Sequence, residues 1–96
     1  MTTEDFNKKY SEYLETGHYG LAIDNEDVIN YLDKVFEDKL INIPNFKYSQ
    51  IKTKFGYTQF YCKGVQVPDD LIETIIEDIN IILFNQSKQH GYNGIL

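Results

Sequence analysis

Apolar residues recur at helical spacing in three stretches of this chain and alternate in a fourth, and that pattern predicts its elements. Phe6, Tyr10, Tyr13 and Leu14 fall at i, i+4, i+7 and i+8, one stripe of an amphipathic helix. Thr3 is the expected N-cap, and Glu4 and Asp5 suit the positive end of the helix. Gly17 and Gly20 bracket a turn, and Leu21-Ala22-Ile23 reads as a short apolar link or strand. Asp24 is the expected N-cap of a second helix, with Asp27 at N3 as a weaker capping box than Glu would make. Val28, Ile29, Tyr31, Leu32, Val35, Phe36 and Leu40 form its inner face, and Pro44 ends any continuation.

Residues 46–63 switch to period two and predict a β-hairpin around Phe55-Gly56. A two-residue loop pairs Lys54 with Tyr57, Lys52 with Gln59, Ile51 with Phe60 and Gln50 with Tyr61. One face then carries Ile51, Thr53, Thr58, Phe60 and Cys62. The other carries Tyr48, Gln50, Lys52, Lys54, Tyr57, Gln59, Tyr61 and Lys63. An odd loop would mix the faces, because one residue of slip reverses every side chain. Pro68, Asp69 and Asp70 open a third helix with Leu71, Ile72, Ile75, Ile76, Ile79, Ile82 and Leu83 inside. Ile81 and Phe84 fall outside that stripe, beside Glu73 and Glu77. From Asn85 the sequence turns polar, and residues 85–96 read as a frayed tail. The expected fold class is α+β, a single domain over residues 1–96 in the order α-α-β-β-α, with helices on one face of a short antiparallel sheet. A third strand from Leu21–Ile23 or Val65–Val67 would strengthen a hairpin that is marginal alone.

Composition narrows the compartment and the partners. The single cysteine, Cys62, excludes an internal disulfide framework, and a cytoplasmic protein (host cytoplasm for a phage product) is the expectation. The polar, acidic N-terminus does not read as a signal peptide, and no apolar run suits a membrane span. The chain has no arginine and no tryptophan, while Ile, Asn, Lys and Tyr abound, as an AT-rich coding sequence would give. Without arginine, bidentate recognition of guanine or phosphate is excluded and only lysine point charges remain. The charge is sorted by segment. Residues 1–40 hold ten carboxylates and four lysines, residues 41–64 four lysines and no carboxylate, and residues 65–96 five carboxylates and one lysine. An acidic protein of net charge −6 thus carries one basic, aromatic insert.

Three surfaces are candidates for binding. Tyr48, Tyr57 and Tyr61 with Lys52, Lys54 and Lys63 make a stacking platform with backbone-tracking charge, suited to single-stranded nucleic acid. Strand propensity and edge protection produce the same residues. Glu26, Asp33 and Glu37 on the second helix and Asp70, Glu73 and Glu77 on the third form carboxylate rows able to imitate a phosphate backbone. A solvated helix face produces such rows too. Ile81 and Phe84 suggest an apolar docking or dimer contact, unless the helix ends there and the chain folds back. The opposite charges also permit self-association.

Catalysis finds little footing. His18 and His90 lie far apart beside glycines, no metal-ligand spacing occurs, and no residue set calls for a cofactor. Cys62 is expected to face the core, and a Cys62–His18 pair is the only nucleophile arrangement to consider. The expectation is a non-enzymatic binding protein with a protein partner, one version being a phage or mobile-element accessory protein. That version would inhibit a basic, nucleic-acid-binding host enzyme by mimicry and so serve host defence evasion. The alternatives are a nucleic-acid-binding module and a self-associating structural protein that forms a homo-oligomer.

Overall fold

A computed structural model of the chain describes residues 1–62 and 67–89, with the side chains of 87–89 excepted. Three helices lie over a three-stranded mixed sheet: α1 (Thr3–Lys9), β1 (Gly20–Leu21), α2 (Glu26–Asp38), β2 (Tyr48–Lys54), β3 (Tyr57–Cys62) and α3 (Asp69–Gln89). Short 3-10 turns at Ser11–Tyr13 and Leu40–Asn42 follow the first two helices. The small α+β domain read from the sequence is the one observed. The third strand comes from Gly20–Leu21, and it runs parallel to β2, so the sheet is mixed rather than purely antiparallel. The alternative at Val65–Val67 falls largely outside the described residues.

The hairpin register matches the expected pairing from Gln50–Tyr61 to Lys54–Tyr57. Its two-residue loop places Phe55 at φ 53° and Gly56 at φ 81°. Two left-handed residues give a turn whose twist matches that of the strands.

Both helix caps sit one residue from the expected positions. Thr2, not Thr3, caps α1: its hydroxyl accepts from the Asp5 N–H at 3.0 Å, and Asp5 Oδ2 accepts from the Thr2 N–H at 3.2 Å. The Thr3 hydroxyl instead donates to the Ile23 carbonyl at 2.9 Å, tying α1 to the entry of α2. Asn25, not Asp24, caps α2, accepting from the Val28 N–H at 3.2 Å. Its amide also bonds Gln86 of α3, a second task that a carboxylate at Asp24 could not perform. The first apolar stripe does not stay helical to Leu14. The Glu15 N–H donates to the Tyr48 carbonyl at 2.9 Å, and Leu14 makes a parallel bridge to Tyr48, so pairing with the sheet overrides the helical period. At the other end of the chain, α3 continues to Gln89, past the polar shift at Asn85.

The core lies between the layers. Phe6, Phe36, Phe46 and Tyr48 form its aromatic centre, with Phe6–Phe36 centroids 5.0 Å apart and Phe36–Tyr48 centroids 5.2 Å apart, both edge-on. Val28, Ile29 and Leu32 of α2, Ile75 and Ile79 of α3, and Leu21, Ile51 and Phe60 of the sheet pack around it. This places Tyr48 on the opposite side of the sheet from its expected position. Tyr48 pairs with Cys62 while Gln50 pairs with Tyr61, so Ser49 is an extra residue in β2. That bulge reverses the pleat beyond it and turns Tyr48 inward, where it is 0% exposed. Burial pushes its phenol up to about 12.

Candidate flank of the third helix and the hairpin tip

Among the described residues no helix covers the sheet's outer face. Gln50, Lys52 and Lys54 of β2 and Tyr57, Gln59 and Tyr61 of β3 line it, with Tyr57 71% and Tyr61 47% exposed. The Tyr61 hydroxyl donates to Gln59 Oε1 at 3.0 Å. The platform expected from the sequence therefore keeps two tyrosines and two lysines. Tyr48 belongs to the core, and Lys63 lies outside the described residues.

The carboxylate rows divide. On α2, Lys9 of α1 reaches both Asp33, at 2.8 Å, and Glu37. The Tyr10 hydroxyl also donates to Asp33, and its ring packs against Phe36 at 4.8 Å, which anchors α1 on α2. Burial pushes the Asp33 carboxyl up, but the hydrogen bonds from Lys9 and Tyr10 outweigh it and hold the group below the ordinary carboxylate range. Of the α2 row, only the exposed Glu26 makes no contact with Lys9. On α3, Asp70, Glu73 and Glu77 are exposed, and no cation among the described residues pairs with them. The acidic residues thus divide into a seam between α1 and α2, where one lysine offsets part of the charge of Asp33 and Glu37, and an open row on α3.

Ile81 and Phe84 remain about half exposed on that same flank of α3. The hairpin tip meets Phe84. Asn80 Oδ1 accepts from the Thr58 N–H at 3.1 Å and from its hydroxyl at 2.7 Å, and Thr53, Gly56, Asn80, Leu83 and Phe84 line one small concavity. Phe55 projects beside it, 88% exposed, with the Lys54 ammonium 5.7 Å from its ring centre. A left-handed backbone costs a side-chain-bearing residue roughly 1–2 kcal/mol, and Asn, Asp or Gly is the usual occupant there. Phe55 is thus strained, exposed and outside the core. Phe55 is not among the binding residues expected from the sequence, where the loop serves only to set the register. The signal was legible as phenylalanine where a turn favours asparagine.

Two other concavities carry chemistry. Tyr31, Lys34, Val35, Leu71, Ile75 and Asp78 line a cleft between α2 and α3, and the Tyr31 hydroxyl donates to Asp78 at 2.7 Å. At the bulge, His18, Ser49, Tyr61 and Cys62 share a shallow cleft. There His18 Nε2 stands 3.5 Å from Glu15 Oε1, and the Ser49 hydroxyl donates to Glu15 Oε2 at 3.2 Å. The Cys62–His18 pair is therefore brought to one cleft, but burial, and then the charge of Asp69, push the thiol up. That is the wrong direction for a thiolate nucleophile. His90 lies outside the described residues. Among the described residues no three His, Cys, Asp or Glu side chains gather to hold a metal ion, and no helix is long and apolar enough to cross a membrane. No protein-family model, curated protein or solved structure matches this chain.

Proposed function

We propose that this protein acts by binding another protein, through the hairpin tip and the outer flank of α3, without chemistry of its own. The observation that carries the reading is Phe55, 88% exposed at a φ of 53°. Tyr57, Ile81 and Phe84 are exposed on the same two elements, and aromatic anchors of this kind dominate interface energetics. The open carboxylates Asp70, Glu73 and Glu77 favour a partner with a basic surface and would steer its approach. A basic nucleic-acid-binding enzyme fits that description. The small, acidic, arginine-free chain fits a phage or mobile-element product that inhibits such an enzyme in a host.

The test uses Phe55→Asn, which relieves the turn and removes the anchor. A partner is captured on tagged protein from nuclease-treated lysate of a low-GC bacterium, identified and purified, and its affinity for both forms is measured. Phe55→Asn is expected to fold at least as stably as the parent and to bind about thirtyfold more weakly, the size of a ~2 kcal/mol anchor. Equal affinities would refute the reading.

A second reading rests on Tyr57 and Tyr61, exposed beside Lys52 and Lys54 on the open sheet face. It takes single-stranded nucleic acid as the ligand. It requires tyrosine fluorescence to be quenched by oligothymidine at low salt, and an unchanged spectrum removes it.

A further inference from the structure

Among the described residues β3 is the last strand of the sheet. In an antiparallel pair, successive residues alternate between bonding the partner strand and pointing their backbone groups outward. The two-residue loop makes Lys54–Tyr57 a bonded pair, so Thr58 and Phe60 point their N–H and C=O away from β2. The Thr58 N–H does so and meets Asn80 Oδ1 at 3.1 Å, which closes the edge near the tip. On the opposite side of the sheet, Ile51, paired with Phe60, gives its carbonyl to the Ala22 N–H at 2.8 Å, confirming the alternation. The outward groups of Phe60 meet no backbone partner among the described residues.

Beside this stretch of edge runs a cleft between β3 and the first half of α3. Phe60 and Cys62 form the strand wall, Val67 and Ile72 the apolar floor, and Asp69 and Glu73 the helix wall. An unpaired edge selects an extended chain, because only an extended chain offers N–H and C=O groups at the matching repeat. Two carboxylates on one wall select cations for the side chains that alternate toward α3.

We infer that the β3 edge and the α3 wall form a strand-addition site for an extended, lysine- or arginine-bearing segment of the protein partner. The partner's backbone pairs with Phe60, and its cationic side chains reach Asp69 and Glu73. The inference rests on the protein-binding reading above and specifies how that partner is held. It also gives Glu73 of the acidic α3 row a binding role alongside the steering role of that row.

The experiment follows backbone amides of the isotopically labelled full chain by NMR hydrogen exchange. The probe is a capped synthetic peptide of alternating lysine and valine, with the glutamate–valine peptide as control. In the free protein the Phe60 amide is expected to exchange far faster than that of Gln59, which bonds across the hairpin. The lysine peptide is expected to protect Phe60, and the glutamate peptide is not. The double variant Asp69→Lys, Glu73→Lys changes two exposed residues and is expected to weaken the lysine peptide about tenfold or more. Slow exchange of Phe60 in the free chain would overturn the inference, as would equal binding of both peptides or shifts confined to the outer sheet face. Protection of Phe60 that rises with protein concentration alone would overturn it in favour of a second copy as the occupant. A captured partner that loses affinity in Phe55→Asn but not in the double variant would sink strand addition and leave the binding function standing.

Discussion

Truncating Tyr48 to alanine separates the observed fold from the regular hairpin that the sequence suggests. In a hairpin without a bulge, Tyr48 and Tyr61 share the outer face, and neither truncation costs much. In the structure Tyr48 is fully buried, edge-on to Phe36 at 5.2 Å and to Phe6 at 6.4 Å, and stacked on Phe46 at 6.4 Å. Removing a buried aromatic side chain costs about 3–5 kcal/mol. Ring pairs of this geometry add about 0.5–1.5 kcal/mol beyond burial, so the upper part of that range is expected. A chain of this length is stable by roughly 5–14 kcal/mol in all. Tyr48→Ala therefore removes a large share of the stability, while Tyr61→Ala stays within about 0.5 kcal/mol. Urea unfolding followed by circular dichroism resolves the difference, because a slope of about 1–3 kcal/mol/M turns it into a midpoint shift of about 1 M or more. Deleting Ser49 places Tyr48 directly before Gln50, so regular alternation still turns it inward opposite Cys62, and the loss should be smaller than that of Tyr48→Ala. Equal, small losses at Tyr48 and Tyr61 would refute both the bulge and the inward tyrosine.

Two further predictions concern the joints between elements. Asp33 has its carboxyl held below the ordinary range in the folded state, so its contribution is present above the unfolded value of about 3.9 and is lost as pH falls through the folded one. Lys9→Met removes the cation, so the stability gap between variant and parent should be open at neutral pH and should close as the pH falls below about 4. Urea midpoints across a pH series check this, and parallel profiles would argue against the pair. Gly20 sits at φ +77°, and an added Cβ would lie 2.6 Å from Asn7 Oδ1, the atom that accepts from the Leu21 N–H at 2.9 Å. Gly20→Ala should cost about 1–3 kcal/mol through the strained backbone and the displaced Asn7. A melting temperature unchanged by Gly20→Ala would contradict the described docking of β1.

What the sequence alone determined here is what a local repeat can encode. The inner faces of α2 and α3 followed from apolar residues at 3.6-residue spacing: Val28, Ile29, Leu32, Phe36, Leu40, Ile75 and Ile79 are buried, Tyr31, Val35, Leu71, Ile72, Ile76, Ile82 and Leu83 pack half-buried against the core, and Ile81 and Phe84 lie outside. The hairpin register followed from an even loop, because an odd one would have mixed apolar and polar faces. What tertiary structure decided lay between segments distant in the chain. The bulge at Ser49 falls between the Leu14–Tyr48 bridge and the Gly20–Gln50 pairing, and no pattern within residues 46–63 encodes it. Part of the charge of the acidic row on α2 is offset by Lys9, a residue of another helix whose position depends on Phe6 and Tyr10 packing against Phe36. The edge of β3 became a cleft only because α3 folds back along it. Periodicity reports which face of an element is buried; which neighbour buries it, and which charges that neighbour cancels, is fixed by packing between distant segments.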